Sequence, residues 1–586
     1  MRKRKRAAAF VLAAGLALTA TGCGSGGKAG DDTSFTMWIY SGADASYYTT
    51  YEENPAVQYA LSKTWGEEEK TLDIEFWVPP AGTATDNYAT MINSGDLPDV
   101  MDLSVADPVA NMYEAGYVMD LTELIPQYMP NYMAFVEAHP ELHSDIYTEV
   151  DGEEKLLYIS SFRDDYDYYF SGMQYRRDWL VKYGTNPETG EAFTGGYTDA
   201  DDVDSWEDDV VFPSGGTDPV YISDWEWMFG IFETAMEAEG ITDSYCISMY
   251  YPGFTWSGGL CSSFGGSVPM WYKAEDGSVQ FGADQEGFRA YLQCLNTWYA
   301  NGWLDQAFDE KTSDAHYAID DVAVRQGKVA MWWGMQSQLG GRMDAHDGGY
   351  TEGICSFGCA WPINDVYGSE EAKYVEPRCV PGTSLRDTGF AVTTTAEGKD
   401  VAALLTFFDY FYSEEGALLK SLGLSAEQVA ETGNQFYQEN GLGEGAYSVG
   451  EDGRYVWSDT LKQDGGGLAV AAAATKLPGM TLIQNVDKGY AESYEKSMKS
   501  WIQYPNTGFY QGSSVTNNMT TEETTEITKV QTKILEFLTT RSVQMIQGTT
   551  DPYSDADWND WCTMLGKYNY QKVIEIAQPY VDKYTF

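Results

Sequence analysis

Between residues 35 and 78 a strand pattern, a capped helix pattern and a second strand pattern follow one another, and that order restricts the chain to one broad class of fold. Phe35, Met37 and Ile39 alternate with Thr36, Trp38 and Tyr40, the period-two pattern of a strand with one apolar face. Asn54 and Pro55 offer a helix cap and first turn, after which Val57, Leu61 and Trp65 recur on one helical face. Leu72, Ile74, Phe76 and Val78 then resume the strand period. A helical crossover between two strands predicts parallel pairing, hence an α/β fold. A further amphipathic stretch, Tyr88 to Ile92, runs into Ser94-Gly95-Asp96-Leu97-Pro98-Asp99-Val100, where Gly95 can cap the helix and Pro98 prevents its resumption before a third strand.

The chain opens with Arg2, Lys3, Arg4, Lys5 and Arg6, continues through an uncharged, mostly apolar run from Ala7 to Ala20, and reaches Cys23 by way of Thr21 and Gly22. Residues 1–22 read as a secretory signal peptide, since the run falls short of the roughly 20 residues that span a bilayer. Small residues before a cysteine resemble the lipobox of bacterial lipoproteins, with Ala20 standing where leucine is usual. That resemblance implies lipidation of Cys23 by acyl chains such as palmitate. Two chains anchor firmly because each buried methylene contributes about 0.8 kcal/mol. Residues 23–33, rich in glycine, read as a flexible tether. The expected location is the outer face of the bacterial cytoplasmic membrane, touched through the lipid alone.

Removing the leader's cations leaves 31 basic against 89 acidic residues, a net charge of -58. So acidic a surface repels nucleic acid and anionic headgroups, and neither is expected as a partner. At 586 residues the chain exceeds one core, so two or three domains are expected. Aromatic residues make up 15 % of it, 43 of them tyrosines, and a flat apolar face with a polar edge suits sugar rings. Core filling is the competing explanation for any single ring. Beyond Cys23, Cys246, Cys261, Cys294, Cys355, Cys359, Cys379 and Cys562 are odd in number and scattered, which does not resemble a disulfide framework.

Signs of chemistry are sparse. No G-x-S-x-G occurs. His139 and His143 have helical spacing, but Glu141 is one position away from an H-E-x-x-H site and no third ligand is evident. The run Asp199, Asp201, Asp202, Asp204, Asp208 and Asp209 misses the EF-hand pattern at Val203 and Asp204, leaving a solvated acidic loop as the better reading. No catalytic residue, metal or cofactor is expected, although two carboxylates would suffice for a glycoside hydrolase.

The most specific pattern is an ordered set of motifs. SGDLPDV is followed by Tyr175, Arg177, Asp178, Trp179, Leu180 and Gly184, then by Gly327, Lys328, Val329, Ala330 and Met331, then by a helix pattern over 406–416. In this order they resemble the family 1 extracellular solute-binding proteins of ABC importers. An acidic insert between Gly184 and Asp224 departs from the family pattern. The resemblance implies a two-lobed, periplasmic-binding-protein-like α/β fold with a hinge between the lobes. Residues 34–162 and 336–412 would form the N-terminal lobe, and 163–335 and 413–586 the C-terminal lobe. Ser413, Glu414 and Glu415 would start a helix at the later boundary.

The implied function is capture of an oligosaccharide between the lobes and delivery to ABC permease subunits by a non-enzymatic monomer. Alternatives are a secreted glycoside hydrolase and a peptide receptor. In open α/β sheets ligands sit beyond the carboxyl ends of strands. That rule selects Tyr40 and Asp44 after the first strand, Asp102 after the third, and Arg163, Asp165 and Tyr166 at a lobe crossover. It also selects Trp332, Trp333 and Gln336 at a second crossover, with one tryptophan of the pair expected in the core. Tyr250, Tyr251, Phe254 and Trp256 follow an apparent strand at 245–249 and align with a loop that stacks sugars in relatives. Arg163 or Arg386 could read a uronate, and a neutral sugar is equally open.

Overall fold

The structure is a computed structural model that describes residues 32–40, 47–80, 82–164, 171–193, 210–249, 257–265, 270–274, 276–310, 321–335, 341–343, 354–377, 385–464, 467–488, 492–501 and 519–583. It contains a six-stranded and a five-stranded mixed sheet, each with its own hydrophobic core.

The predicted opening unit is present. Strand β1 (Ser34–Trp38) pairs in parallel with β2 (Asp73–Trp77), Phe35 opposite Ile74 and Met37 opposite Phe76. Between them lies α1 (Pro55–Leu61), capped by the Asn54 side chain, which accepts from the Ala56 and Val57 amides. The Asn54 amide group also donates to the carbonyls of Ala471 and Ala473, so one residue caps the helix and fastens a distant segment. Helix α2 (Ala84–Ser94) ends at Gly95, whose φ of 71° is the left-handed cap conformation that glycine adopts without penalty.

The segment after Gly95 locks β3 (Val100–Asp102) to β1. Buried Asp99 accepts from the Thr36 amide at 2.7 Å, the Thr36 hydroxyl at 3.0 Å and the Lys399 ammonium at 2.7 Å. The SGDLPDV motif thus has a structural function in this chain.

Strand β4 (Ile159–Arg163) completes the first pass through this sheet. The chain then enters the other sheet with β5 (Ser171–Arg176), followed by β6 (Tyr245–Ile247), β7 (Val329–Met335), β8 (Gly341–Met343) and β9 (Ile354–Gly358). It returns with β10 (Arg386–Val392) and ends its strands in the first sheet with β11 (Met480–Thr481). The first sheet has the order β11-β4-β10-β3-β1-β2, and the second β8-β9-β5-β7-β6.

The lobe boundaries differ from those expected beyond residue 162. Strand β9 pairs with β5, Phe357 opposite Tyr175, and Cys359, Tyr367 and Ala372 continue in the second core. Conversely, Ala417, Leu419, Leu422, Tyr437 and Met480 pack in the first core. The return to the first lobe therefore runs over 385–488 rather than 336–412, and the second lobe takes 171–377 and 492–583 rather than 163–335 and 413–586. Ser413 does cap a helix, accepting from the Gly416 amide, but that cap joins two helices of one lobe. A cap marks a chain turn, and pairing partners decide which sheet a segment joins.

The second lobe closes with the chain's last helices. Over 521–546, Ile527, Val530, Ile534 and Phe537 form a buried helical stripe, and the Trp561 indole donates to the Ala283 carbonyl at 2.8 Å. Helix α3 (Glu492–Trp501) follows the last change of lobe and lies against β5 and β9. Its close approach depends on glycine: the Gly358 amide donates to Ser497 Oγ at 2.9 Å, and Trp501 Nε1 donates to the Met173 carbonyl at 2.9 Å. Among the described residues no helix is long and apolar enough to cross a membrane.

Candidate functional site

In the first sheet β1, β2, β3, β4 and β11 run parallel and β10 runs against them. The ends of the parallel strands and the start of β10 therefore share one edge. That edge carries Tyr40, Asp102, Arg386 and Arg163 in the order imposed by the sheet. Neighbouring strands lie about 4.8 Å apart, so from Arg163 to Tyr40 the row extends roughly 15 Å, the length of a short oligosaccharide.

Each residue has a distinct setting. Tyr40 is 44 % exposed, and its amide donates to Asp102 Oδ2 at 3.2 Å. Asp102 is buried and accepts through Oδ1 from the Ser104 amide at 2.9 Å and the Ser104 hydroxyl at 2.6 Å. Burial pushes its carboxyl above the usual carboxylate value, against the opposing effect of these bonds and of the Lys476 charge. Asp102 thus holds two strand-end loops in place, and Ser104 and Tyr40 are the groups it presents.

Beside them lies a recess of about 290 Å³ lined by Ser104, Asp107, Tyr158, Arg386 and Thr388, with Leu103 and Val109 among its apolar walls. Arg386 lies over the Tyr158 ring at 5.2 Å and donates from Nε to Ser160 Oγ at 3.3 Å. Asp107 accepts from the Tyr88 hydroxyl at 3.0 Å. The recess offers hydroxyls, one carboxylate and one guanidinium beside apolar surface, a donor and acceptor set suited to a polyol. Asp107 and Tyr158 had no periodic or motif signal; the pairing of β10 with β3 and β4 brings Asp107, beyond β3, and Tyr158, before β4, to one recess.

In the second sheet β6 and β7 run parallel and β5 runs against β7. The ends of β6 and β7 therefore share an edge with the start of β5, where the chain arrives from the first lobe. The loops carrying Tyr250, Tyr251, Phe254, Trp256 and Gln336 leave from these strand ends, but those five residues lie outside the described residues, as do Asp44, Asp165 and Tyr166.

The tryptophan pair is corrected in part. Trp332 is fully buried with Val324 and Val329, which makes it a core residue rather than a ligand contact. Trp333 points to the opposite face and packs within the main core of the lobe, 8 % exposed. Strand β7 is paired on both edges by β5 and β6, and its two faces are covered by separate clusters, one holding Trp332 and the other Trp333.

The remaining polar motifs are accounted for locally. His139 and His143 pair with different glutamates, Glu141 and Glu154, each at 2.9 Å. Cys355 and Cys359 are buried and form no disulfide among the described residues, and burial pushes Cys359 far above the ordinary thiol value. The aspartate run within 199–209 lies outside the described residues.

No protein-family model matches the sequence, and no curated protein matches it. Solved structures do match over nearly the whole chain. An extracellular solute-binding protein from Bifidobacterium longum subsp. infantis is 16 % identical, with 96 % of this chain and 100 % of that one covered at a TM-score of 0.67. An HMO-binding, ABC-transporter-associated solute-binding protein from Bifidobacterium longum infantis is 14 % identical, covering 95 % and 99 % at 0.64. The S. pneumoniae ABC-transporter substrate-binding protein FusA, in complex with fructo-nystose, is 14 % identical, covering 94 % and 99 % at 0.62. The chain has the two-lobed α/β fold of these solute-binding proteins.

Proposed function

We propose that this chain is an extracytoplasmic receptor of an ABC importer, held to the membrane by lipid on Cys23, that captures an oligosaccharide between its lobes and delivers it to a permease. The observation that carries the reading is the shared sheet edge: Tyr40, Ser104 and Arg386 stand at the same end of the first sheet from which the chain crosses to the second lobe. A ligand bound there touches one lobe directly and lies where the other must meet it on closure. Closure biased by contacts made only in the closed state is the elementary mechanism of such receptors. The aromatic loop over 250–256 supplies stacking faces from the second lobe, and the polar groups of the first lobe exchange hydrogen bonds with sugar hydroxyls. No bond is made or broken.

Titration calorimetry against a panel of fructo-, gluco-, manno- and xylo-oligosaccharides and their uronate-bearing counterparts tests this, with chromatography of the same mixtures for products. Binding without turnover is expected. Alanine at Tyr250, Tyr251, Phe254 or Trp256 should weaken binding by roughly 5- to 150-fold in at least one case, the equivalent of about 1 to 3 kcal/mol for a stacked ring. Steady release of reducing ends, or binding confined to a peptide panel, would overturn the proposal.

A further inference from the structure

The stretch over 471–481 runs across the carboxyl edge of the first sheet. It passes Tyr51, whose ring meets Phe76 of β2 edge-on at 5.1 Å, and ends in β11, where Met480 stands opposite Phe162 of β4. Side chains from below hold its backbone at nearly every residue. The carbonyls of Ala471 and Ala473 accept from the Asn54 amide group at 3.1 and 3.0 Å, that of Ala472 from the Tyr437 hydroxyl at 3.0 Å, and that of Thr475 from Lys420 Nζ at 3.1 Å. The Lys476 amide donates to the Tyr51 hydroxyl at 3.1 Å. Within 471–480 every residue is buried except Thr475 and Lys476. The bonds therefore fix the place of these two residues in advance of any ligand.

Lys476 belongs to the face of the sheet opposite the recess. Ala472, Ala474 and Leu477 pack in the core that holds Phe35, Met37 and Ile39 of β1, whereas Tyr158 of the recess packs with Trp38 and Met101 on the other face. Between them lies Asp102. Burial raises its carboxyl, and among the effects opposing that rise is the charge of Lys476, which therefore stands near it. Both Asp102 oxygens are already engaged, one by the Tyr40 amide and the other by Ser104. Among the described residues the Lys476 ammonium joins no ion pair and donates no hydrogen bond. An ammonium has three donors and no acceptor, so whatever completes it must bring oxygen acceptors.

We propose that Lys476 is a specificity-determining contact at this edge, and that the oligosaccharide bound there carries a carboxylate, as a uronate unit does, with which the Lys476 ammonium pairs. A ligand laid along the strand tips has Lys476 on one side and Arg386, over Tyr158, on the other. The recess carboxylate of Asp107 is engaged by the Tyr88 hydroxyl. In a chain with 89 acidic residues the general surface repels an anion, so attraction has to come from cations placed at the site itself. A hydrogen bond between ammonium and carboxylate is about twice as strong as one between neutral groups, and a cation on a backbone already held loses less freedom on binding. A neutral sugar would offer the ammonium hydroxyls alone. The inference rests on the oligosaccharide-receptor reading and narrows its ligand class.

The test uses matched ligands: the uronate-bearing oligosaccharides of the panel, and the same compounds with each carboxyl reduced to the alcohol. By calorimetry, wild type should bind at least one acid more tightly than its reduced form by about 10-fold or more. Lys476→Met keeps the bulk of the stem and removes the charge; it should weaken binding of that acid by about 10-fold or more and leave the reduced sugar within about 2-fold of wild type. Lys476→Arg should keep most of the preference. If Lys476→Met does not fold, Lys476→Gln takes its place with the same expectation. A wild type that binds neutral sugars with no preference for the acid overturns the proposal and leaves the receptor reading standing. So does a Lys476→Met that retains the preference, or one that weakens both ligands equally, which would make the residue structural. A wild type that binds no oligosaccharide of the panel overturns both readings together.

Discussion

Arg176 and Asp178 form a buried ion pair at the end of β5, and the physics of such pairs gives a sharp expectation for its double-mutant cycle. Arg176 Nε and Nη2 donate to the two carboxylate oxygens at 2.7 and 2.5 Å, both side chains are 4 % exposed, and the guanidinium lies 3.9 Å from the Trp179 ring centre. Burial holds the Asp178 carboxyl above its ordinary value despite the lowering effects of Arg176 and of the Cys355 amide. Desolvation therefore outweighs the attraction, and the pair has little net stabilising effect while each partner is costly to leave alone. Arg176→Met or Asp178→Leu should each cost about 3–5 kcal/mol, because a buried charge is left uncompensated. The double variant Arg176→Met/Asp178→Leu removes both charges and leaves one orphan, the Cys355 amide, worth about 1–3 kcal/mol. It should thus be more stable than either single variant. For a lobe-sized unit each kcal/mol corresponds to roughly 2–4 °C, so thermal circular dichroism should show drops of about 6–20 °C for the singles and clearly less for the double. The pH dependence has a defined sign. With a folded value above the unfolded 3.8, the native state holds the Asp178 proton more tightly, and this group's contribution to stability falls as pH rises through that window. The double variant should gain on wild type from pH 4 toward neutrality. A double variant destabilised by the sum of the singles would refute the reasoning.

Two other expectations follow from separate parts of the chain. A methyl group at Gly358 would stand 2.5 Å from the Ser497 Cβ and 2.8 Å from the Trp501 indole nitrogen, so Gly358→Ala should cost about 1–3 kcal/mol and displace α3, seen as faster hydrogen exchange over 496–501; unchanged protection there would show that the helix can shift at no cost. Cys23→Ser should release the protein into the medium with sugar affinity unaltered, and retention of the variant at the membrane would argue against the lipid anchor.

Much of the first lobe was legible because its early elements are local. The alternation of Phe35, Met37 and Ile39, the Asn54 cap and the Gly95 cap each depend on residues within one or two turns of one another, and each element appears within a few residues of its expected bounds. The later boundaries were not legible because they depend on pairing. Nothing in Ile354–Gly358 states that its partner is β5, and nothing in 413–480 states that it packs beneath Phe162 and Phe390. Apolar strands buried on both faces carry no alternation by which to orient them, which is also why one of Trp332 and Trp333 read as a ligand contact although both lie in the interior.

The site divides along the same line, and on the proposed receptor reading the division bears on how the ligand could change. Asp102 holds the first-lobe edge through bonds to Tyr40 and Ser104, while Asp99, at the other end of β3, ties that strand to Thr36 and Lys399. Arg386 and Asp107 line the recess and are tied to the buried Ser160, Tyr158 and Tyr88, with Thr388 beside them in the lining. Substitution at the first pair leaves buried donors unpaired and costs stability. Substitution around the recess changes which hydroxyls or carboxylates are matched while the strand ends stay in place. On the proposed reading, substitutions in the recess would change the hydrogen-bond partners offered to the ligand, while Asp102 sets the strand tips beside it.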